Sequence, residues 1–239
     1  RCTKGYECKY TAKEKLKHIV SKEAFNIDGL GKKVIEQFWE LKLISKPSDI
    51  FEINFKKIEK LEGWGDLSIS NLKKSINKSK IIDLDKFIFS IGIRHIGQEN
   101  AKILAGHFKT INKFEHLFNR SQRKSILSNL LNLDGIGETQ VESMENFFNN
   151  SNNIEIVKNL IEKLQIKNFH TKNKKGKFSN KTIMFTGGFE KMSRSEAKSL
   201  VENNGGKVLG TVTKKLDLLV TGNSKPTKKK IDNAKKLNI

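Results

Sequence analysis

The sequence predicts a mainly α-helical array of helix-hairpin-helix units, followed by a small α/β module with a parallel sheet. Three observations carry that expectation. A tight apolar-x-Gly-apolar-Gly turn recurs between residues 27 and 137, and apolar residues follow each copy at helical spacing. Beyond about residue 178 the pattern changes to short apolar runs of strand length, broken by glycines.

The turn occurs as Ile27-Asp28-Gly29-Leu30-Gly31, Leu61-Glu62-Gly63-Trp64-Gly65 and Leu133-Asp134-Gly135-Ile136-Gly137, and in variant form as Ile93-Arg94-His95-Ile96-Gly97. Positions four and seven beyond the last glycine are apolar every time: Ile35 and Phe38, Ile69 and Leu72, Ala101 and Leu104, Val141 and Met144. Position eleven is apolar as Ile76, Phe108 and Phe148, whereas Lys42 breaks the rule in the first copy. Each turn therefore opens an amphipathic helix, and because an apolar run also leads into it, the unit is helix, tight glycine hairpin, helix. Spacings from Gly29 to Gly63 to His95 to Gly135 are 34, 32 and 40 positions, the range of stacked internal repeats.

Such turns have a chemistry. Glycine admits positive φ and lets a backbone approach another surface closely. Successive N–H groups, backed by the positive end of the following helix, make an anion site. A nucleic-acid phosphate fits there without any base being read. A turn that merely packs two helices has the same form, so one copy would not decide. Four copies do, in a chain with 46 Lys plus Arg against 26 Asp plus Glu, a net charge of +20 and a pI near 9.8. The candidate DNA-binding residues are Gly29, Gly31 and Lys32; Gly63 and Gly65; Arg94, His95 and Gly97; and Gly135 and Gly137. Arg94 is the most informative, because a guanidinium can fork onto a phosphate; its plain alternative is an ion pair with Glu99.

In chain order, residues 1–22 hold Cys2 and Cys8, the two cysteines of the sequence. In a reducing compartment this pair suits a metal better than a disulfide, and two thiolates are half of a tetrahedral zinc site, while two thiols that simply stay unpaired fit the spacing equally well. His18 is the nearest histidine and is equally readable as a helix-surface residue. Residues 23–166 carry the four hairpins, joined by expected helices over Ser48 to Leu61, Leu84 to Ile91 and Asn112 to Leu133, and closed by a helix over Ile154 to Leu164. Residues 167–177 lose all periodicity and read as a flexible basic linker.

Residues 178–239 are expected to run as a strand at Thr182 to Gly187, a helix from Ser193 with Glu196 three residues on as a capping box, strands at Lys207 to Leu209 and Leu216 to Gly222, and a last helix from Lys229. No apolar run reaches the length of a membrane span and no charged-then-apolar leader stands at the start, so a cytoplasmic protein without a membrane partner is expected. The first residue is Arg1, and the chain is expected to be a piece of something longer.

With these residues in hand, the chain resembles the C-terminal portion of bacterial NAD-dependent DNA ligases across essentially all of its length. Arg1-Cys2-Thr3 through Cys8 is similar to the second half of that family's four-cysteine zinc finger. Asp28-Gly29-Leu30-Gly31, Gly92-Ile93-Arg94-His95-Ile96-Gly97 and Asp134-Gly135-Ile136-Gly137 resemble its successive hairpins. Thr186-Gly187, Gly205-Gly206 and Leu218-Leu219-Val220-Thr221-Gly222 resemble its terminal BRCT domain, here expected to be cut before its usual aromatic end.

The resemblance implies double-stranded nicked DNA as partner and nucleoid association. It also implies Zn2+ held incompletely, and hence weakly, by Cys2 and Cys8, and NAD and Mg2+ used only in the intact ligase with its N-terminal catalytic domains. The family's nucleophile is a lysine in a Lys-x-Asp-Gly motif; here Asn26 and Asn132 stand at the lysine position before the two Asp-Gly pairs. This stretch is therefore expected to bind DNA and not to form an adenylate. Some BRCT domains hold phosphate with a hydroxyl, an amide and a lysine, which implies a pocket at Thr186, Gly187 and Lys228 or Lys229, against a simple packing role for that turn. Two other classes fit less of the chain: a repair-nuclease or DNA-junction accessory subunit would need a metal-binding carboxylate cluster, and a BRCT interaction scaffold would not need four hairpins.

Overall fold

The computed structural model describes residues 9–170, 176–190, 192–224 and 226–239, and the chain divides into two compact units, Arg1–His170 and Thr171–Ile239. In the first unit the same bond closes all four turns. The N–H of the fourth turn residue donates to the carbonyl of the first: Leu30 to Ile27 at 3.4 Å, Trp64 to Leu61 at 3.3 Å, Ile96 to Ile93 at 3.2 Å, Ile136 to Leu133 at 3.0 Å. The residue before that donor is left-handed in every copy, with φ of 91° at Gly29, 84° at Gly63, 61° at His95 and 93° at Gly135. A β-turn with positive φ at its third position is the place glycine fills without steric cost. His95 takes the same conformation as an L-residue of the kind that tolerates it.

The last glycine of each turn is extended and starts a helix: Gly31 before α2 (Lys32–Glu40), Gly65 before α4 (Asp66–Ser79), Gly97 before α6 (Gln98–Phe108) and Gly137 before α9 (Glu138–Phe148). The predicted faces are buried, through Ile35 and Phe38, Ile69, Leu72 and Ile76, Ala101, Leu104 and Phe108, and Met144 and Phe148, with Val141 half-buried. Lys42 breaks the pattern because α2 has already ended at Glu40 and Lys42 itself turns left-handed, at φ 53°.

The turns pack crosswise in two pairs. Turn one rests on α4, where the Asp28 N–H donates to Ser75 Oγ at 2.8 Å and a Cβ on Gly29 would stand 3.4 Å from Leu72. Turn two answers on α2, its Trp64 ring 5.4 Å from Phe38. Turn three reaches α9, with His95 Nδ1 3.0 Å from Ser143 Oγ, and turn four reaches α6, with Gly135 against Ile103. Each turn is thus supported by the second helix of its partner.

The connectors differ from expectation. The helix expected over Ser48 to Leu61 is a 3-10 helix, Pro47–Glu52, followed by α3 (Phe55–Ile58). Asp49 caps the start of this short helix by accepting the Ser45 and Lys46 N–H groups at 2.8 and 3.0 Å. The stretch expected as one helix over Asn112 to Leu133 divides into α7 (Ile111–Glu115), a 3-10 turn at His116–Phe118 and α8 (Arg120–Leu130) capped by Asn119. Arg123, 5% exposed, fixes that break: Nε donates to the Leu117 carbonyl at 2.6 Å, Nη2 to Phe118 at 3.3 Å and Nη1 to Asn149 Oδ1 at 2.8 Å.

The other first-unit helices are α1 (Lys9–Val20), α5 (Leu84–Ser90) and α10 (Ser151–Ile161). An unforeseen two-stranded parallel sheet closes the unit, β1 (Ile81–Asp83) pairing with β2 (Gln165–Lys167) in the register Ile82 to Ile166. The Phe169 N–H also donates to the Lys109 carbonyl at 2.7 Å, so the start of the expected linker is held in the first unit.

The second unit runs β3 (Thr182–Thr186), α11 (Arg194–Asn203), β4 (Lys207–Val208), β5 (Leu218–Thr221) and α12 (Lys228–Lys236), with a parallel sheet of order β4-β3-β5. Ser193 and Glu196 form the anticipated capping box on α11. Asp217 staples the start of β5 to β3 by accepting the Thr182 N–H and hydroxyl, both at 2.6 Å, which holds its carboxyl below the usual carboxylate range.

Arg123→Met keeps the bulk of the side chain but strips its partners of three donors. It is expected to cost the first unit about 3 kcal/mol, the scale of a buried charged group whose partners are left unpaired. Urea unfolding measures this, and a loss under about 0.5 kcal/mol would mean that water reaches those carbonyls.

Candidate nucleic-acid interface

At Gly31, Gly65 and Gly97 the backbone is extended with negative φ, and an added Cβ would meet nothing within 4 Å. Nothing inside the fold requires glycine at these positions. What their missing side chains provide is bare backbone at the start of a helix, beside the amides that have no partner within it. Their own N–H groups find no acceptor among the described residues. Gly137 is different: its N–H donates to Gln140 Oε1 at 3.1 Å, so turn four satisfies this amide internally.

The side chains around the turns also divide. Lys32 and Lys33 flank turn one beside Asp28, and Arg94 and His95 belong to turn three, all exposed. Turns two and four carry Glu62 and Asp66, and Asp134 and Glu138, exposed as well. The repeat pattern treats the four alike, and the charges that separate them were readable in sequence but carried no weight against it. Arg94 makes no hydrogen bond or ion pair with the described residues, so the pairing with Glu99 is not formed.

Turn three has a second support that sequence reasoning missed. His18 on α1 donates through Nε2 to the Phe89 carbonyl at 2.9 Å, its ring lies edge-on to Phe89, and Gly92 passes close enough that a Cβ would be 3.4 Å from His18 Cδ2. This corrects both readings of His18: it is neither a helix-surface residue nor open to a metal through Nε2, but a link that holds α1 against the entry to turn three. Cys2 and Cys8 lie outside the described residues. Within those residues no group of three His, Cys, Asp and Glu side chains converges as a metal site would require.

In the second unit Thr186 is 1% exposed, and its hydroxyl accepts the Thr227 N–H at the start of α12 at 3.0 Å. Gly187, at φ 84°, passes so close to Gly222 that a Cβ would stand 2.9 Å from the Gly222 carbonyl oxygen, and its own carbonyl accepts both Nε and Nη2 of Arg194. Lys228 opens α12 and is exposed. Thr186 and Gly187 thus work in joining β3 to the end of β5 and to α12. Among the described residues, no helix is long and apolar enough to cross a membrane.

Known proteins agree with this architecture. Residues 86–157, which contain turns three and four, match the helix-hairpin-helix motif family, and residues 173–239 match the BRCA1 C Terminus (BRCT) domain family. The whole chain is 52% identical to a protein named DNA ligase from Pelagibacter ubique (strain HTCC1062), 41% to one from Ehrlichia canis (strain Jake) and 39% to one from Rickettsia rickettsii (strain Sheila Smith). It spans only 35–36% of the length of each. With both domains in place and relatives of one name matching from end to end, the chain belongs to the DNA ligase family, as the C-terminal part of such a protein.

Proposed function

We propose that this chain is the DNA-gripping part of an NAD-dependent DNA ligase, holding duplex phosphates on either side of a nick during replication and repair. The observation that carries the reading is the bare backbone at Gly31, Gly65 and Gly97, where an external surface can come closer than any side chain would allow. Phosphate is the surface that the turns suit, since it accepts hydrogen bonds from amides at a helix start and is drawn by Lys32, Lys33 and Arg94 beside turns one and three.

The crosswise packing supports a two-point grip for each pair of turns, because each turn is fixed relative to its partner before DNA arrives. None of these contacts reads a base, which suits an activity needed wherever a strand is broken. NAD and Mg2+ would serve adenylate chemistry in the catalytic part of the whole ligase; the residues described above would bind and orient the nicked duplex. The zinc expected at Cys2 and Cys8 would be structural, and through α1 and His18 it would bear on turn three.

Binding of the intact chain to a nicked duplex should fall with salt. For about six phosphates engaged, the slope of log affinity against log salt is near −5, and affinity that is flat between low and moderate salt would overturn the reading. Gly97→Ala separates grip from fold. Ala in place of Gly at this N-cap should cost about 0.5–1 kcal/mol of helix stability, a small drop in melting temperature that leaves the chain folded, while affinity at a temperature well below melting drops about fivefold or more, roughly 1 kcal/mol. Arg94→Ala should weaken binding by roughly 1–2 kcal/mol and lower the salt slope by about one unit.

A further inference from the structure

At turn three the hydrogen-bond partners of one serine fix where the proton of a histidine sits. Ser143, on α9, has one hydroxyl proton. Its Oγ stands 2.7 Å from the Thr139 carbonyl oxygen one helical turn back and 3.0 Å from His95 Nδ1. Two oxygens at 2.7 Å need a hydrogen between them, and a carbonyl has none to give, so the Ser143 proton is spent on Thr139. The contact with His95 must then run the other way, with Nδ1–H donating to the serine oxygen. This fixes the tautomer: in the neutral ring the proton is on Nδ1, and Nε2 carries a lone pair.

His95 is exposed, and Nε2 has no partner among the described residues. Its backbone is set by the left-handed conformation at φ 61° and by the Asn100 side chain, which donates to the His95 carbonyl at 3.2 Å. Backbone and Nδ1 are both anchored, so the remaining ring atom is presented outward from the same turn that carries Arg94. A lone pair repels a phosphate oxygen; an N–H attracts it. The neutral ring is therefore poised in the wrong state for its neighbour, and one proton corrects it.

We propose that Ser143 is a positioning residue that aims His95 Nε2 at a DNA phosphate, so that turn three engages DNA with uptake of one proton by His95. The inference rests on the DNA-gripping reading above. The charged and titratable groups on the elements around the ring are Arg94 in the turn, Glu99, Lys102 and His107 on α6, and Asp134, Glu138, Glu142 and Glu145 from turn four and α9. Both signs are present and none belongs to the DNA. A phosphate arriving at Nε2 adds negative charge beside the imidazole, which favours its protonated form and so draws the proton on. By linkage the protonated form binds more tightly, and affinity rises as pH falls through the neutral range.

The test is affinity of the intact chain for a nicked duplex at fixed salt between pH 6 and pH 8, with calorimetry in two buffers of different ionisation enthalpy to count protons. The parent should bind about three- to tenfold more tightly at pH 6 and take up a fraction of a proton approaching one. His95→Gln should remove most of both effects. Ser143→Ala should also shrink the pH dependence, with a melting curve close to the parent's, and Ser143→Thr, which restores the hydroxyl, should recover it. A merely structural serine would change the melting curve and leave the pH profile alone. Full pH dependence in Ser143→Ala, or a parent whose salt-dependent binding is flat in pH, overturns the inference while leaving the DNA grip intact. Absence of duplex binding at every pH would instead sink the DNA reading itself.

Discussion

A single backbone hydrogen bond, repeated four times, sets the terms for the first unit. In every copy the N–H of the fourth turn residue reaches the carbonyl of the first with the third residue left-handed, and that conformation favours glycine, which fills it in three copies. Once the bond forms, the chain reverses within five residues and the next helix begins from an extended glycine. The apolar first and fourth residues turn inward as a consequence, Ile27 with Leu30 and Ile93 with Ile96 being fully buried. The polar atoms left outside are those of a helix start. Packing therefore uses one side of the small turn and leaves the amides of the helix start open on the other.

The crosswise pairing follows from that geometry. A lone hairpin buries one face of its second helix and leaves the other without a partner; two hairpins placed head to tail can each lay a turn on the other's helix. Trp64 against Phe38, and Asp28 against Ser75, do this in the first pair, while His95 against Ser143 and Gly135 against Ile103 do it in the second. Rigidity at the turns is thus bought by contacts that lie away from any ligand. It also places one turn of each pair, the one with cations beside it, next to another that carries carboxylates.

Much of this was legible in the sequence for a physical reason. Positive φ restricts residue choice and helical burial imposes a period, so Gly29, Gly63 and Gly135 and the apolar residues behind them announce both turn and helix. The same holds for Ser193 and Glu196, whose spacing is that of a reciprocal cap. What could not be read depends on partners distant in the chain. The three-residue strands β1 and β2 are too short to show alternation, and their pairing of residues 81–83 with 165–167 appears only after the helices between them have packed. Nothing local in sequence marks Arg123 as buried, yet it closes a 3-10 turn and reaches Asn149. His18 likewise gave no hint that it would meet Phe89, 71 residues away.

The central claim is that DNA meets bare backbone at the turns, and amide resonances report on it residue by residue. A nitrogen-15-labelled chain titrated with a nicked duplex should show its largest shifts at the Gly31 and Gly97 amides and at Arg94 and His95. The Gly137 amide, already held by Gln140, should move less. If the turn amides stay still while shifts gather on α10 or within β3 to β5, DNA is bound by another surface and the turns serve the fold alone.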